Sequence, residues 1–66
     1  MKNIILIDAH MDDRNRIIDY IYQNNIKLSK IISEYAIRTN IVRFITEMTE
    51  EECIMMKLKF NISLTK

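Results

Sequence analysis

The sequence predicts a single α+β domain whose elements follow the order β-α-β-β-α-β. Two observations lead to this prediction. Isoleucine-rich segments of strand length alternate with segments of helical periodicity, and residues that commonly begin or end helices stand at the boundaries. The chain has 66 residues, the size of one small domain. We therefore expect one compact unit over residues 1–66.

The first strand is predicted over residues 2–8. The run Ile4-Ile5-Leu6-Ile7 is rich in β-branched residues and ends at Asp8. Apolar side chains occupy both alternating faces of this run, a pattern typical of a strand that is covered on both sides. The sequence alone leaves open which of the two faces turns towards the core.

The first helix is predicted over residues 12–24. Asp12 or Asp13 is expected to cap its N-terminus, because a carboxylate accepts hydrogen bonds from the free N–H groups and opposes the positive end of the helix dipole. Asn24 and Asn25 are expected to end it, because asparagine tolerates the left-handed conformation at a helix C-terminus. The apolar stripe of this helix consists of Ile17, Ile18 and Ile21.

The segment from residue 26 to residue 48 admits two interpretations. Apolar residues at helical spacing suit a helix over residues 27–37, and the fold would then be one N-terminal strand followed by a mainly helical domain. The β-branched and aromatic residues after position 37 instead favour a hairpin that turns at Thr39-Asn40 and pairs Ile37 with Val42. In that register the charged side chains of both strands share one face. We therefore expect two antiparallel strands here.

The second helix is predicted over residues 50–60. Thr49 and Glu52 have the spacing of a capping box, and Met48 and Cys53 have that of a hydrophobic staple. Glutamates in the first turn and lysines in the last turn match the helix dipole. The periodicity leaves two candidate apolar faces, one with Cys53, Met56 and Phe60 and the other with Ile54 and Leu58. Residues 62–65 alternate in polarity and predict a last strand.

Together these elements predict a four-stranded antiparallel sheet with both helices on one face, the ferredoxin-like or split βαβ architecture. The other face would carry an apolar patch of the size at which a partner is expected, joined by either Ile4 and Leu6 or Ile5 and Ile7. Charges of both signs around it suit self-pairing, with Arg43 bonded to Glu34 or Glu47 across a two-fold axis. The expected oligomer interface is Ile32, Glu34, Ala36, Ile41, Arg43 and Ile45.

Length and composition also favour an oligomer. A core of this size contributes only about 3–5 kcal/mol to stability, and the single cysteine, Cys53, excludes an intramolecular disulfide.

The net charge of +1 produces no strong electrostatic attraction to nucleic acid or to an anionic membrane. The short N-terminal apolar run suits neither a signal peptide nor a membrane span, so we expect a cytoplasmic protein without membrane contact. Fourteen isoleucines against four leucines are typical of an AT-rich bacterial or viral genome.

The sequence contains one cluster of candidate metal ligands or acid–base groups: Asp8, His10, Asp12 and Asp13. These residues would serve a metal-dependent or acid–base enzyme, which we keep as an alternative. Capping and solvent-exposed loop roles explain them better, so we expect no metal, cofactor or catalytic residue. The absence of glycine excludes a loop that cradles phosphate.

Nucleic-acid binding on the open sheet is a further alternative, since RNA-recognition sheets stack bases on outward-facing aromatic rings. Phe44 is the one aromatic residue of the predicted third strand, and it is expected to face inward. The sequence therefore favours a small non-catalytic interaction or regulatory module that binds a second copy of itself and another protein.

Overall fold

The computed structural model describes residues 1–33 and 39–66. Its elements, in chain order, are β1 (Asn3–His10), α1 (Arg14–Gln23), β2 (Lys27–Ile32), β3 (Ile41–Met48), α2 (Glu50–Lys59) and β4 (Ser63–Thr65). A single 3-10 turn, Met11–Asp13, leads from β1 into α1. The four antiparallel strands and two α-helices of these described residues confirm the predicted α+β class.

The sheet has the strand order β2-β3-β1-β4. β1 pairs with β3 along its whole length, from Asn3 opposite Met48 to His10 opposite Ile41. β4 covers only part of β1, with Leu6 opposite its residue Thr65. β1 and β3 are therefore the two central strands, while β2 and β4 are the edges.

The predicted hairpin register is wrong. A hairpin that pairs Ile37 with Val42 would place Ile31 opposite Met48, whereas the structure pairs Ile31 with Phe44. β2 begins earlier, at Lys27, which also contradicts the alternative of a helix starting at that residue. Because Ile31 and Ile32 are displaced by an even number of residues, both keep their predicted faces, and polarity alternation could not detect the error. Residues 34–38, with Ile37, lie outside the described part of the chain.

Both helices pack against the same face of the sheet. The odd-numbered residues of β1 and the even-numbered residues of β3 turn towards this face. Of the two apolar sides of β1, the one with Ile5 and Ile7 therefore faces the core. Their side chains form one cluster with buried residues of α1 and α2. The buried residues in this cluster from the two central strands and the two helices are Ile5, Ile7, Ala9, Val42, Phe44, Met48, Ile17, Ile21 and Met56.

α1 ends as predicted but begins differently. Asn25 has φ 55°, and the Ile26 N–H donates to the Ile21 carbonyl at 3.0 Å, so a left-handed asparagine closes the helix in a Schellman motif. At the start, Asp13 occupies the N-cap position, yet its side chain makes no capping hydrogen bond. The carboxylate cap predicted from Asp12 or Asp13 is therefore wrong. The 3-10 turn intervenes, and there the His10 Nδ1 accepts from the Asp12 N–H at 3.2 Å.

α2 begins with the predicted capping box. The Glu52 N–H donates to the Thr49 hydroxyl at 3.2 Å, and the Thr49 N–H donates to the Glu52 carboxylate at 2.8 Å. Met48 is fully buried and Cys53 packs at the edge of the core, in keeping with the predicted staple positions. Of the two candidate faces, the one with Met56 and Phe60 is buried.

Removing the capping hydroxyl should destabilise the protein measurably. Thr49→Ala leaves the Glu52 N–H without its acceptor, and we expect the free energy of unfolding to fall by about 1 kcal/mol. Thr49→Ser keeps the acceptor oxygen and is the matched control, with an expected loss of less than half that of alanine. Urea titration followed by circular dichroism measures both. Equal losses in the two variants would show that the hydroxyl does not cap α2.

Candidate functional site

The side of the sheet turned away from the helices, called the outer face from here on, is the candidate functional site. Its side chains come from the even-numbered residues of β1 and the odd-numbered residues of β3, because the opposite parity is buried. Within the described chain both helices lie on the other side of the sheet. Among residues 1–33 and 39–66, five large aliphatic side chains belong to this face, namely Ile4, Leu6, Ile32, Ile41 and Ile45.

The apolar part of the outer face lies mainly on the two central strands. Leu6 on β1 is directly opposite Ile45 on β3. The residues beside this pair on the edge strands are polar, because Lys30 flanks Ile45 on the β2 side and Thr65 flanks Leu6 on the β4 side. Ile32 lies further along β2, opposite Arg43. Ile4 is 63% exposed and Ile41 is 37% exposed. An apolar centre with a polar rim is the usual anatomy of a protein–protein interface.

An ion pair crosses the middle of this face. Arg43 donates to Asp8 through two bonds, Nε to Oδ1 at 2.7 Å and Nη2 to Oδ2 at 2.9 Å. The two residues are opposite each other on β3 and β1, and both side chains are half-buried. The hydrogen bonds from the Arg43 guanidinium hold the pKa of the Asp8 carboxyl below its ordinary value.

Arg43 therefore has a partner within its own chain, which the sequence reasoning did not foresee. We expected it to pair with Glu34 or Glu47 of a second copy. Glu47 is bonded to Lys27 of the neighbouring strand at 2.9 Å, and Glu34 lies outside the described residues. The structural reason is the register of β1 with β3, which brings Asp8 opposite Arg43.

The Asp8–Arg43 pair should make stability depend on pH in acid. Because the folded-state pKa of Asp8 is lowered, its contribution is complete above the unfolded pKa and is lost as pH falls below about 4. Asp8→Asn should cost about 1–2 kcal/mol at pH 7 and less at pH 3, which lies below the unfolded pKa. Urea titrations at the two pH values test this. Asp13→Asn, which removes an exposed pair with Arg16, is the control and should cost less than about 0.5 kcal/mol. A cost of Asp8→Asn that is the same at both pH values would contradict the role of the pair.

The structure brings together four of the six residues predicted for the interface. Ile41, Arg43 and Ile45 share the outer face of β3, and Ile32 on β2 is directly opposite Arg43. Glu34 and Ala36 lie outside the described residues. Sequence alone does not assign Ile4, Leu6 and Asp8 to the outer face, because the first strand is apolar on both sides. The pairing of β1 with β3 supplies that information.

The candidate metal ligands are held in separate interactions. The carboxylate of Asp8 is bonded to Arg43, and that of Asp13 lies 3.2 Å from the Arg16 guanidinium. The His10 Nδ1 lies 3.4 Å from an Asp12 carboxylate oxygen, on the exposed surface. Across residues 1–33 and 39–66, no three histidine, cysteine, aspartate or glutamate side chains come together as a metal site would require.

Two other sequence candidates also have structural roles. Burial raises the pKa of the Cys53 thiol, which makes it a poor nucleophile at neutral pH. Phe44 is fully buried, as predicted. In the described parts of the four strands, the outer face carries no aromatic ring on which a base could stack.

Comparison with known proteins found no matching family model, no matching curated protein and no matching solved structure. In the described part of the chain, none of the helices combines the length and the apolar character needed to cross a membrane.

Proposed function

We propose that this protein is a non-catalytic interaction module that pairs with a second copy of itself through the outer face of its sheet. The observation that supports this most is the row of aliphatic side chains on the central strands, on the side of the sheet away from both helices. Leu6 and Ile45 lie in the middle of that row, and Ile4 at its end is more than half exposed. Covering these side chains with a second copy would remove apolar surface from water.

The pattern of the outer face is complementary to itself about a two-fold axis that runs parallel to the strands. In the strand order β2-β3-β1-β4, such an axis between β3 and β1 lays each central strand over the other one of the partner. Ile45 then meets the partner's Leu6. Arg43 meets the partner's Asp8 at the same height, so the two ion pairs form a square of alternating charges.

The edges of the face also fit this axis. β2 of one copy lies over β4 of the other, so Lys27 and Lys30 meet a strand whose outward residues are Ser63 and Thr65. An axis perpendicular to the strands would instead stack β2 on β2 and bring the lysines of the two copies together. Like charges across an interface are unfavourable, so the axis parallel to the strands is preferred.

The size of the face sets the strength of the association. The central strands β1 and β3 have eight residues each, while the edge strands β2 and β4 have six and three. At about 3.3 Å per residue and about 4.8 Å between strands, the face covers about 400 Å² per copy. A dimer would bury about 800 Å² in total, which is the size of a weak, transient interface. We therefore expect dissociation constants in the micromolar rather than the nanomolar range.

We also assign the chain to the ferredoxin-like architecture as part of this proposal. The order β-α-β-β-α-β and the placement of both helices against one face of an antiparallel sheet support the assignment. This architecture serves many unrelated functions, so the assignment adds nothing to the choice of activity. Because this architecture places both helices against one face, the other side of the sheet is left for a partner.

Dilution followed by NMR tests which face associates. We expect the backbone amide signals of Leu6, Arg43 and Ile45 to shift between high and low protein concentration, while those of α1 and α2 stay in place. The helices provide the internal control, since they lie on the opposite side of the sheet. Shifts confined to the helices, or no concentration dependence up to millimolar protein, would overturn the proposal.

A further inference from the structure

The side of α2 that faces away from the core exposes a stripe of apolar side chains. Ile54 is 56% exposed, Met55 is 59% exposed and Leu58 is 79% exposed. The three follow one another at helical spacing, while Met56 on the opposite side is fully buried. Because the helices cover the inner side of the sheet, this stripe lies on the opposite side of the molecule from the outer face.

A groove runs beside the stripe, between the end of α1 and the first half of α2. Its volume is about 400 Å³. Tyr20 and Ile26 line its α1 side, and Ile54 and Met55 line its α2 side. It is therefore a mainly apolar groove between two helical segments, of a kind that can accept side chains of a further helix.

The charged residues that line the groove have a single sign, and the Lys59 ammonium lies at its α1 side, 5.4 Å from the centre of the Tyr20 ring. Among the described residues that line it, the charged ones are Glu51 and Glu52, and Glu50 stands in the same first turn of α2. The Glu52 carboxylate accepts a hydrogen bond from the Thr49 N–H. Within the described chain, Glu50 and Glu51 take part in none of the ion pairs. An apolar groove beside unpaired carboxylates is complementary to an apolar segment flanked by lysine or arginine.

We infer that this groove binds an amphipathic helix of a partner protein, one that carries apolar side chains on one face and basic residues beside them. Leucine-like side chains at i, i+3 and i+4 would pack against Met55 and Ile54, and the basic residues would pair with Glu51. Residues 51–58 of α2, which contribute to the groove and the apolar stripe, span about 12 Å, so about two turns of the partner helix would make contact.

The position of the groove has a consequence for the dimer. Sheet-to-sheet pairing leaves both grooves on the outside, one at each end of the assembly. A partner with two basic helices would bind a dimer more tightly than a monomer through the raised effective concentration of the second helix. This consequence alone rests on the proposed dimer; the groove itself belongs to a single chain.

Fluorescence anisotropy with designed peptides tests the groove. The probe is a labelled helical peptide of about 18 residues with leucines on one face and lysines on the other; its counterpart has glutamate in place of lysine. We expect the lysine peptide to bind at least tenfold more tightly than the glutamate peptide. Ile54→Ser combined with Met55→Ser should weaken binding at least tenfold, and Glu51→Gln should weaken it several-fold. Tyr22→Ser, at an exposed residue of α1 that does not line the groove, should change nothing.

Several outcomes would overturn the inference. These are equal binding of the two peptides, binding that survives the Ile54→Ser and Met55→Ser changes, and absence of binding. Binding to phosphatidylglycerol vesicles that is tighter than peptide binding and is lost in the same double variant would assign the stripe to a membrane surface instead. The variant Ile4→Asp, altered on the outer face only, separates the two proposals: it should bind the lysine peptide as the natural chain does, whether or not the chain dimerises.

Discussion

Replacing Phe44 by alanine is expected to leave the chain unfolded at room temperature. Phe44 is fully buried in β3, between Ile7 of β1 and Ile31 of β2, so the change opens a cavity in the middle of the sheet. Truncation of a buried phenylalanine costs about 3–5 kcal/mol. A core of this size provides about the same amount, so little or no stability remains.

Far-ultraviolet circular dichroism and a urea titration measure this effect. The matched control is Leu58→Ala on α2, where the side chain is 79% exposed and the expected change is within about 0.5 kcal/mol. A folded Phe44→Ala variant that has lost less than about 1 kcal/mol would contradict the placement of the even-numbered residues of β3 in the core.

Introducing a carboxylate on the outer face is expected to abolish the dimer and leave the fold intact. Ile45→Asp puts an acidic group into the apolar centre of the face in both copies, and Ile4→Asp does so at a position that is already 63% exposed. Burial of these charges should weaken association on the order of 100-fold, or about 2.7 kcal/mol. Sedimentation velocity measures the association, and circular dichroism checks the fold. Tyr22→Asp on α1 is the control and should dimerise as the natural chain does.

Position 4 also tests the orientation of the two copies. With the two-fold axis parallel to the strands, Ile4 lies over the partner's Glu47. Ile4→Asp then brings two acidic groups together, whereas Ile4→Lys brings opposite charges together after the same loss of apolar surface. We expect the lysine variant to dimerise at least tenfold more tightly than the aspartate variant. Equal affinities would contradict this axis, and dimerisation of both variants at natural strength would contradict the use of the face.

The parts of the fold that the sequence predicted well depend on neighbouring residues. The capping box at Thr49 and Glu52 and the left-handed Asn25 are local patterns whose partners are at most a few residues apart. The side of β3 that faces the core followed from the alternation of residues along the strand. A shift in pairing by an even number of residues leaves that side unchanged. These features needed no knowledge of distant contacts.

The parts that the sequence missed depend on pairing between distant strands. The pairing of Ile31 and Ile32 with β3 was predicted wrongly because a displacement by an even number of residues leaves both side chains on their predicted faces. Asp8 could be recognised as the partner of Arg43 only once β1 was paired with β3 across 35 positions of sequence. The same pairing was needed to choose between the two apolar sides of β1.

Sedimentation equilibrium of the natural chain over roughly 5–500 µM tests the central claim most directly, because that range brackets micromolar dissociation constants. We predict an average mass that rises with concentration from that of one chain towards that of two. A mass that stays at one chain over the whole range would contradict the claim that the outer face pairs two copies of this protein.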